Sequence, residues 1–150
     1  MTDLRFKFDE DPLNYDRSRP AYTEAMFEDI IHYASLDKSK EALEIGVGTG
    51  QATLPFLRTG CRVTAVELGG NMARFVRDKF AEYANFQVLH TDFESYEGRS
   101  GSFDFIYSAT AFQQGIAAAI EGCGQKLHID DTIDLYLATK ESGAAHPPLR

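Results

Sequence analysis

Apolar residues along this chain change their spacing several times, and each change marks an element. Met26, Phe27, Ile30, Ile31 and Ala34 recur at helical period with Glu24, Glu28 and Asp29 outside the stripe, which predicts an amphipathic helix over 21–34. A short apolar run predicts a first strand over 42–45, and the glycine-rich loop from Gly46 leads into a second helix starting near Thr49 and ending near Arg58. Pro55 is tolerated there if that helix begins near Gln51. Thr59-Gly60 closes the helix, and a second strand is expected over 61–67. Met72, Phe75, Val76, Phe80 and Tyr83 then line a helix over 70–83, followed by a third strand over 86–90. Two glycines and a serine mark the turn before a fourth strand over 103–107. A helix over 115–127, weakened by Gly122 and Gly124, leads to a fifth strand over 132–138 with Ile133, Leu135 and Leu137 on one face.

Strands alternating with helices point to an α/β fold, a doubly wound and mostly parallel sheet with helices on both faces. The polar stretch 1–20, with Pro12 and Pro20, reads as an irregular arm, 21–140 as the single domain, and 141–150 as a loose tail. Asp134 in the fifth strand is out of place in a strand covered on both faces, so that strand is expected at an edge. An apolar edge invites pairing with a second copy, which makes a homodimer the expected assembly.

A length of 150 residues and 43% hydrophobic content fit one ordinary globular core. No apolar run is long enough for a membrane span, and the charged N-terminal stretch lacks a signal-peptide core, so a cytoplasmic location and no membrane partner are expected. Cys61 and Cys123 show no metal or redox spacing, and they read as reduced, packed thiols. A formal charge of −8 argues against a broad nucleic-acid surface, so no nucleic-acid partner is expected.

The chemistry concentrates in Glu44-Ile-Gly46-Val-Gly48-Thr-Gly50-Gln51. Three missing Cβ atoms let the backbone turn tightly and let a ligand lie against it. A dinucleotide fingerprint needs its third glycine at relative position six, where this chain has Gln51. Glu44 sits at the carboxyl end of the first strand, where a carboxylate suits a ligand carrying positive charge. Glu67 lies 23 positions after Glu44 and closes the second strand, a place from which an acidic residue commonly accepts ribose hydroxyls.

This E-x-G-x-G-x-G run resembles the cofactor loop of the class I S-adenosylmethionine-dependent methyltransferases. Two further stretches carry the likeness. Tyr15-Asp16-Arg17-Ser18-Arg19-Pro20-x-Tyr22 is similar to an N-terminal segment that crosses the cofactor pocket in one branch of that family. Ser108-Ala109-Thr110-Ala111-Phe112 after an F-D-F-I-Y strand resembles the branch acting on small molecules. That branch usually continues with His-Trp, where this chain has Gln113-Gln114, and it turns into its fifth strand through two glycines, where this chain has Asp130-Asp131.

The resemblance implies S-adenosylmethionine as cofactor, held by Glu44, Gly46, Gly48 and Gly50, with Glu67 on the ribose. It further implies Leu68, Asp92 and Phe93 around the adenine and Ser108 at the pocket wall, with a small-molecule methyl acceptor and no metal. Members of that family carry two more strands beyond the fifth, which are expected to be missing here. A domain that binds cofactor without effective transfer, or another nucleotide-binding Rossmann-like domain, are the competing expectations. No D-P-P-Y or N-P-P-Y run follows the fourth strand, so base or glutamine amino methylation through that motif is not indicated.

Overall fold

A computed structural model describes residues 9–18, 22–98, 101–109 and 135–139. Its elements are α1 (Pro12–Ser18), α2 (Glu24–Tyr33), β1 (Glu41–Ile45), α3 (Thr53–Arg58), β2 (Arg62–Glu67), α4 (Gly70–Lys79), β3 (Phe86–His90), β4 (Phe105–Ala109) and β5 (Leu135–Thr139). The strands form one sheet in the order β3-β2-β1-β4-β5. The first four run parallel, with Glu44 opposite both Ala65 and Tyr107. A parallel sheet of this order gathers all its strand ends on one side, where ligands of open α/β sheets bind.

Side-chain alternation divides the sheet faces. Ala42, Val63, Ala65, Val88, Phe105 and Tyr107 meet Phe27 and Ile30 of α2, Phe56 of α3 and Val76 of α4 in one core. Leu43, Ile45 and Val66 point the other way and pack with Phe93, Tyr96, Phe103 and Ile106. Among the described residues, α2, α3 and α4 all lie against the first face. The helix expected over 115–127 lies outside the described residues, as does Asp134.

Four expectations need correction. The arm is not wholly irregular, because Pro12 with its fixed φ opens α1 and Asp11 Oδ1 accepts the Asn14 N–H at 3.1 Å, a local cap. The second helix begins at Thr53 instead of near Thr49, since Gly48 and Gly50 hold φ of +55° and +77° and the chain must leave that turn first. The fourth strand starts two residues late. Asp104 is held outside it by a backbone bond to Glu41 O (2.8 Å) and accepts the Glu41 N–H on Oδ2 (3.0 Å). The fifth strand runs on to Thr139, one residue past its expected end, antiparallel to β4 with Leu135 opposite Ala109, and it takes the edge position expected of it in the described sheet.

Phe56 is the hub of the helical face. It is fully buried and meets the rings of Phe27, Phe105 and Tyr107 edge-on at 5.5, 5.5 and 4.7 Å. Cys61 is a buried free thiol whose Sγ donates to Lys40 O, so it serves packing. Phe56→Ala is expected to lower unfolding stability by about 3–5 kcal/mol, read from urea midpoints, because three rings lose a common neighbour. A loss below about 1 kcal/mol would show that the core closes around the gap.

Candidate functional site

Glu44 is 1% exposed at the end of the central strand. A lone carboxyl there would be costly, and two hydroxyls answer it. Thr53 Oγ1 donates to Oε2 at 2.6 Å and Tyr107 Oη donates to the same oxygen at 2.8 Å. Burial nevertheless pushes the carboxyl up to about 7, against those two bonds and with a smaller push from the Glu67 charge. Burial also drives the Tyr107 phenol well above its ordinary value.

The glycine loop leaves β1 with Gly46 N–H bonded to Val66 O at 2.8 Å. Its glycines have different tasks. A Cβ on Gly50 would stand 2.4 Å from the Phe80 ring and 2.9 Å from Val76, so Gly50 lets the loop lie on α4. A Cβ on Gly48 would meet only Tyr15 Cε1, at 4.0 Å, so its face is open toward α1. Between them Thr49 is 2% exposed, and its Oγ1 has no hydrogen-bond partner among the described residues. A buried orphan hydroxyl on a glycine loop is a place for a ligand atom.

A small cavity of about 40 Å³ lies here, lined by Tyr15, Tyr22, Glu44, Gly48, Thr49 and Ala109 among others. That is room for roughly three waters, enough for the charged end of an amino acid and too little for a nucleoside.

Glu67 stands at the neighbouring strand end. Its Oε2 accepts Gly48 N–H and its Oε1 accepts Gly69 N–H, both at 2.8 Å. Burial raises this carboxyl too, opposed by those amides and helped by Asp9. Each carboxylate oxygen has a second lone pair, so Glu67 retains capacity for two further donors.

The arm reaches this site from the outside. Gln51 Nε2 donates to Asp16 O at 3.0 Å, while Lys79 Nζ bridges Asp16 Oδ1 (3.1 Å) and Thr49 O (2.9 Å). Asp9 Oδ1 accepts Met72 N–H at 2.8 Å and so caps α4, whose own N-cap residue is Gly69. Tyr15 and Tyr22 of this segment therefore line the cavity beside the glycine loop.

The sequence-derived residues divide accordingly. Glu44, Gly46, Gly48 and Glu67 meet at one end of the sheet, while Gly50 is turned toward α4. Leu68 is half-buried beside them, its carbonyl 3.1 Å from His90 Nε2. Asp92 Oδ1 accepts Ser95 N–H at 2.6 Å and holds the turn after β3. Phe93 packs on the second sheet face. Ser108 is fully buried with its hydroxyl on Ile45 O at 2.8 Å, so Ala109 lines the cavity instead. Alternation along β4 is the reason, since Tyr107 and Ala109 share the face that Ser108 turns away from. Thr49, Thr53 and Tyr107 were not singled out in the sequence, because nothing in their spacing shows that they meet Glu44. Gln113 and Gln114 lie outside the described residues.

A family model described as "Methyltransferase domain" matches residues 42–128, more than half of the chain. The chain belongs to the S-adenosylmethionine-dependent methyltransferase domain family. A ribosomal RNA small subunit methyltransferase A from Clostridium botulinum is 35% identical over 69 residues, which are 46% of this chain and 25% of that protein. Another from Synechococcus is 43% identical over 51 residues, 34% of this chain and 18% of that protein. The chain thus spans a quarter or less of the length of these curated relatives. Among solved structures, one described as an S-adenosyl-L-methionine-dependent methyltransferase from Methanococcus maripaludis superposes with a TM-score of 0.65 at 18% identity, covering 81% of this chain and 60% of that one. A dimethyladenosine transferase from Plasmodium falciparum gives 0.51 at 19% identity, covering 69% and 46%. At such identities the likeness is one of fold. Among the described residues no helix is long and apolar enough to cross a membrane.

The raised Glu44 carboxyl of this methyltransferase domain makes a stability prediction. With a folded value near 7 against 4.5 in the unfolded chain, the native state keeps a proton that the unfolded state has lost between those values. Stability therefore falls as pH rises through that window, by roughly 3 kcal/mol for Glu44 alone. Glu67 is raised as well and adds a fall of the same sign. Urea midpoints at pH 5 and pH 8 should show Glu44→Gln losing less stability than the native sequence. Equal losses would mean that the carboxyl is not the group responsible.

Proposed function

We propose that this domain binds S-adenosylmethionine and transfers its methyl group to a small-molecule acceptor. The observation that carries the reading is the buried Thr49 hydroxyl, without a partner among the described residues, in a cavity lined also by the Glu44 carboxyl and Tyr15. Together they suit an amino-acid end, with the carboxyl for an ammonium and the hydroxyl for a carboxylate. Glu67 accepts the ribose hydroxyls beside its two amide bonds, and Leu68 with the turn at Asp92 and Phe93 borders the adenine. Gly46 and Gly48 let the backbone approach the ligand, and Gly50 holds the loop in place from behind.

The cofactor supplies an electrophilic methyl group on a sulfonium. The domain's own contribution is to orient that group and to keep water away from it, and effects of this kind are large when two reactants are held in line. Tyr15 covers the glycine loop, with Asp16 held by Gln51 and Lys79.

The acceptor class rests on the Ser108-to-Phe112 resemblance and on the charge of −8, which disfavours a polyanion. An RNA acceptor is the second reading, favoured by the names of the curated relatives, which methylate ribosomal RNA. Against it stands the absence of an N-P-P-Y-type run after β4.

Calorimetric titration is expected to show S-adenosylhomocysteine binding and NAD failing to bind, and comparable affinity for both would overturn the reading. Glu67→Ala is expected to weaken S-adenosylhomocysteine by about 1.5–3 kcal/mol, the range for hydrogen bonds to a charged group. Thr49→Val is expected to weaken S-adenosylhomocysteine while leaving 5′-deoxy-5′-methylthioadenosine unchanged, since the latter lacks the amino-acid end. Equal losses for the two ligands would move Thr49 out of that subsite.

A further inference from the structure

Tyr107 is an unexpected residue for its position. It lies opposite Glu44 in the β1–β4 pairing, and its ring stacks on Phe105 at 5.1 Å and meets Phe56 at 4.7 Å. Phenylalanine would fill the same space without placing a phenol in the core, where an unmatched hydroxyl is costly. What the hydroxyl adds is one bond, to Glu44 Oε2. Thr53 donates to that same oxygen. Among the described residues nothing donates to Oε1, so its lone pairs remain for a donor entering the cavity that Glu44 lines.

Resting on the cofactor reading above, we infer that Tyr107 is a positioning residue: it fixes Glu44 with Oε1 toward the cofactor's ammonium and sets the pH at which that receptor is charged. Below that pH, binding carries a proton balance. The carboxyl O–H of Glu44 breaks, its proton leaves to solvent, and the remaining carboxylate pairs with the incoming ammonium.

The surroundings of Glu44 support a titration in the neutral range. Thr53 faces it from α3, Tyr107 from β4, and Tyr15 and Tyr22 from the other wall of the cavity. The charged neighbour acting on it is Glu67 at the end of β2, which raises it further, and burial is the largest cause of a value near 7. The Lys79 ammonium is engaged with Thr49 O and Asp16. Because two hydroxyl donors favour the charged form, losing one moves the titration upward.

The test is calorimetric titration of the full chain with S-adenosylhomocysteine from pH 5.5 to 8, with 5′-deoxy-5′-methylthioadenosine as the ligand lacking an ammonium. Affinity for S-adenosylhomocysteine is expected to rise about tenfold per pH unit below the Glu44 midpoint and to level above it, with no such rise for the control ligand. Tyr107→Phe should shift the midpoint upward by roughly one unit, the scale of one hydrogen bond to a charge. Thr53→Val should shift it in the same direction, and Glu44→Gln should flatten the profile. Site-specific 3-fluorotyrosine at position 107, a stronger donor of nearly the same shape, should shift the midpoint downward, and it decides the matter if Tyr107→Phe does not fold. A flat native profile, or a midpoint that neither change at position 107 moves, overturns the inference while leaving cofactor binding intact. Failure of S-adenosylhomocysteine to bind at any pH removes the cofactor reading itself and this inference with it.

Discussion

A carboxyl group buried at the end of the central strand governs the rest of this structure. Glu44 has neighbours on both flanking strands, and its side chain points to the face covered by α2, α3 and α4. A charge in that place needs donors, so α3 must bring Thr53 over it and β4 must carry a tyrosine in register. Those two demands fix where the loop between β1 and α3 can run. Gly50 then allows that loop to settle on Phe80 and Val76, leaving Gly48 and Thr49 facing the cleft.

The arm before the sheet is tied to the same loop by groups far apart in sequence. Lys79, from the last turn of α4, holds Asp16 of α1 and the carbonyl of Thr49 at once. Asp9 supplies the cap that Gly69 cannot, and Gly69 is bare because Asp9 occupies its side: a Cβ there would stand 2.4 Å from Asp9 Oδ1. Residues 9–18 therefore organise the cleft although none of α1 is buried. Their contribution is polar and local, which is the kind of attachment that opens without unfolding the core.

Much of this was legible in the sequence. The β3 boundaries and the α2 stripe followed from periodicity alone, because one buried face imposes its spacing on the residues. That the glycine loop and Glu67 share one end of the sheet was legible from their offset along two successive strands, and Glu67 Oε2 accepts the Gly48 N–H there. Periodicity failed where a single polar contact overrode it. Phe103 and Asp104 belong to the apolar run, yet the Asp104 carboxylate accepts the Glu41 N–H and β4 begins only after it, at Phe105. Tyr107 read as one more strand residue, since only the pairing of β1 with β4 reveals what lies opposite it. The helix within the arm is hard to read from sequence because Pro12 breaks a helix at interior positions, whereas at the first helical position it serves as a start.

The two carboxyls at the strand ends also bear on which form of the cofactor the site prefers. Glu44 and Glu67 are both desolvated, so each resists ionisation until positive charge arrives. S-adenosylmethionine brings an ammonium and a sulfonium against one carboxylate, whereas the demethylated product brings only the ammonium. On the proposed cofactor reading, two reluctant carboxylates within a chain of charge −8 would favour the reactant over the product by electrostatics, without any contact to the methyl group. Linkage makes the relation mutual: whatever draws the cation in also ionises Glu44, and whatever ionises Glu44 draws the cation in. Tyr107 and Thr53 are placed to set the strength of that coupling, since their hydroxyls stabilise the charged carboxyl before the ligand arrives.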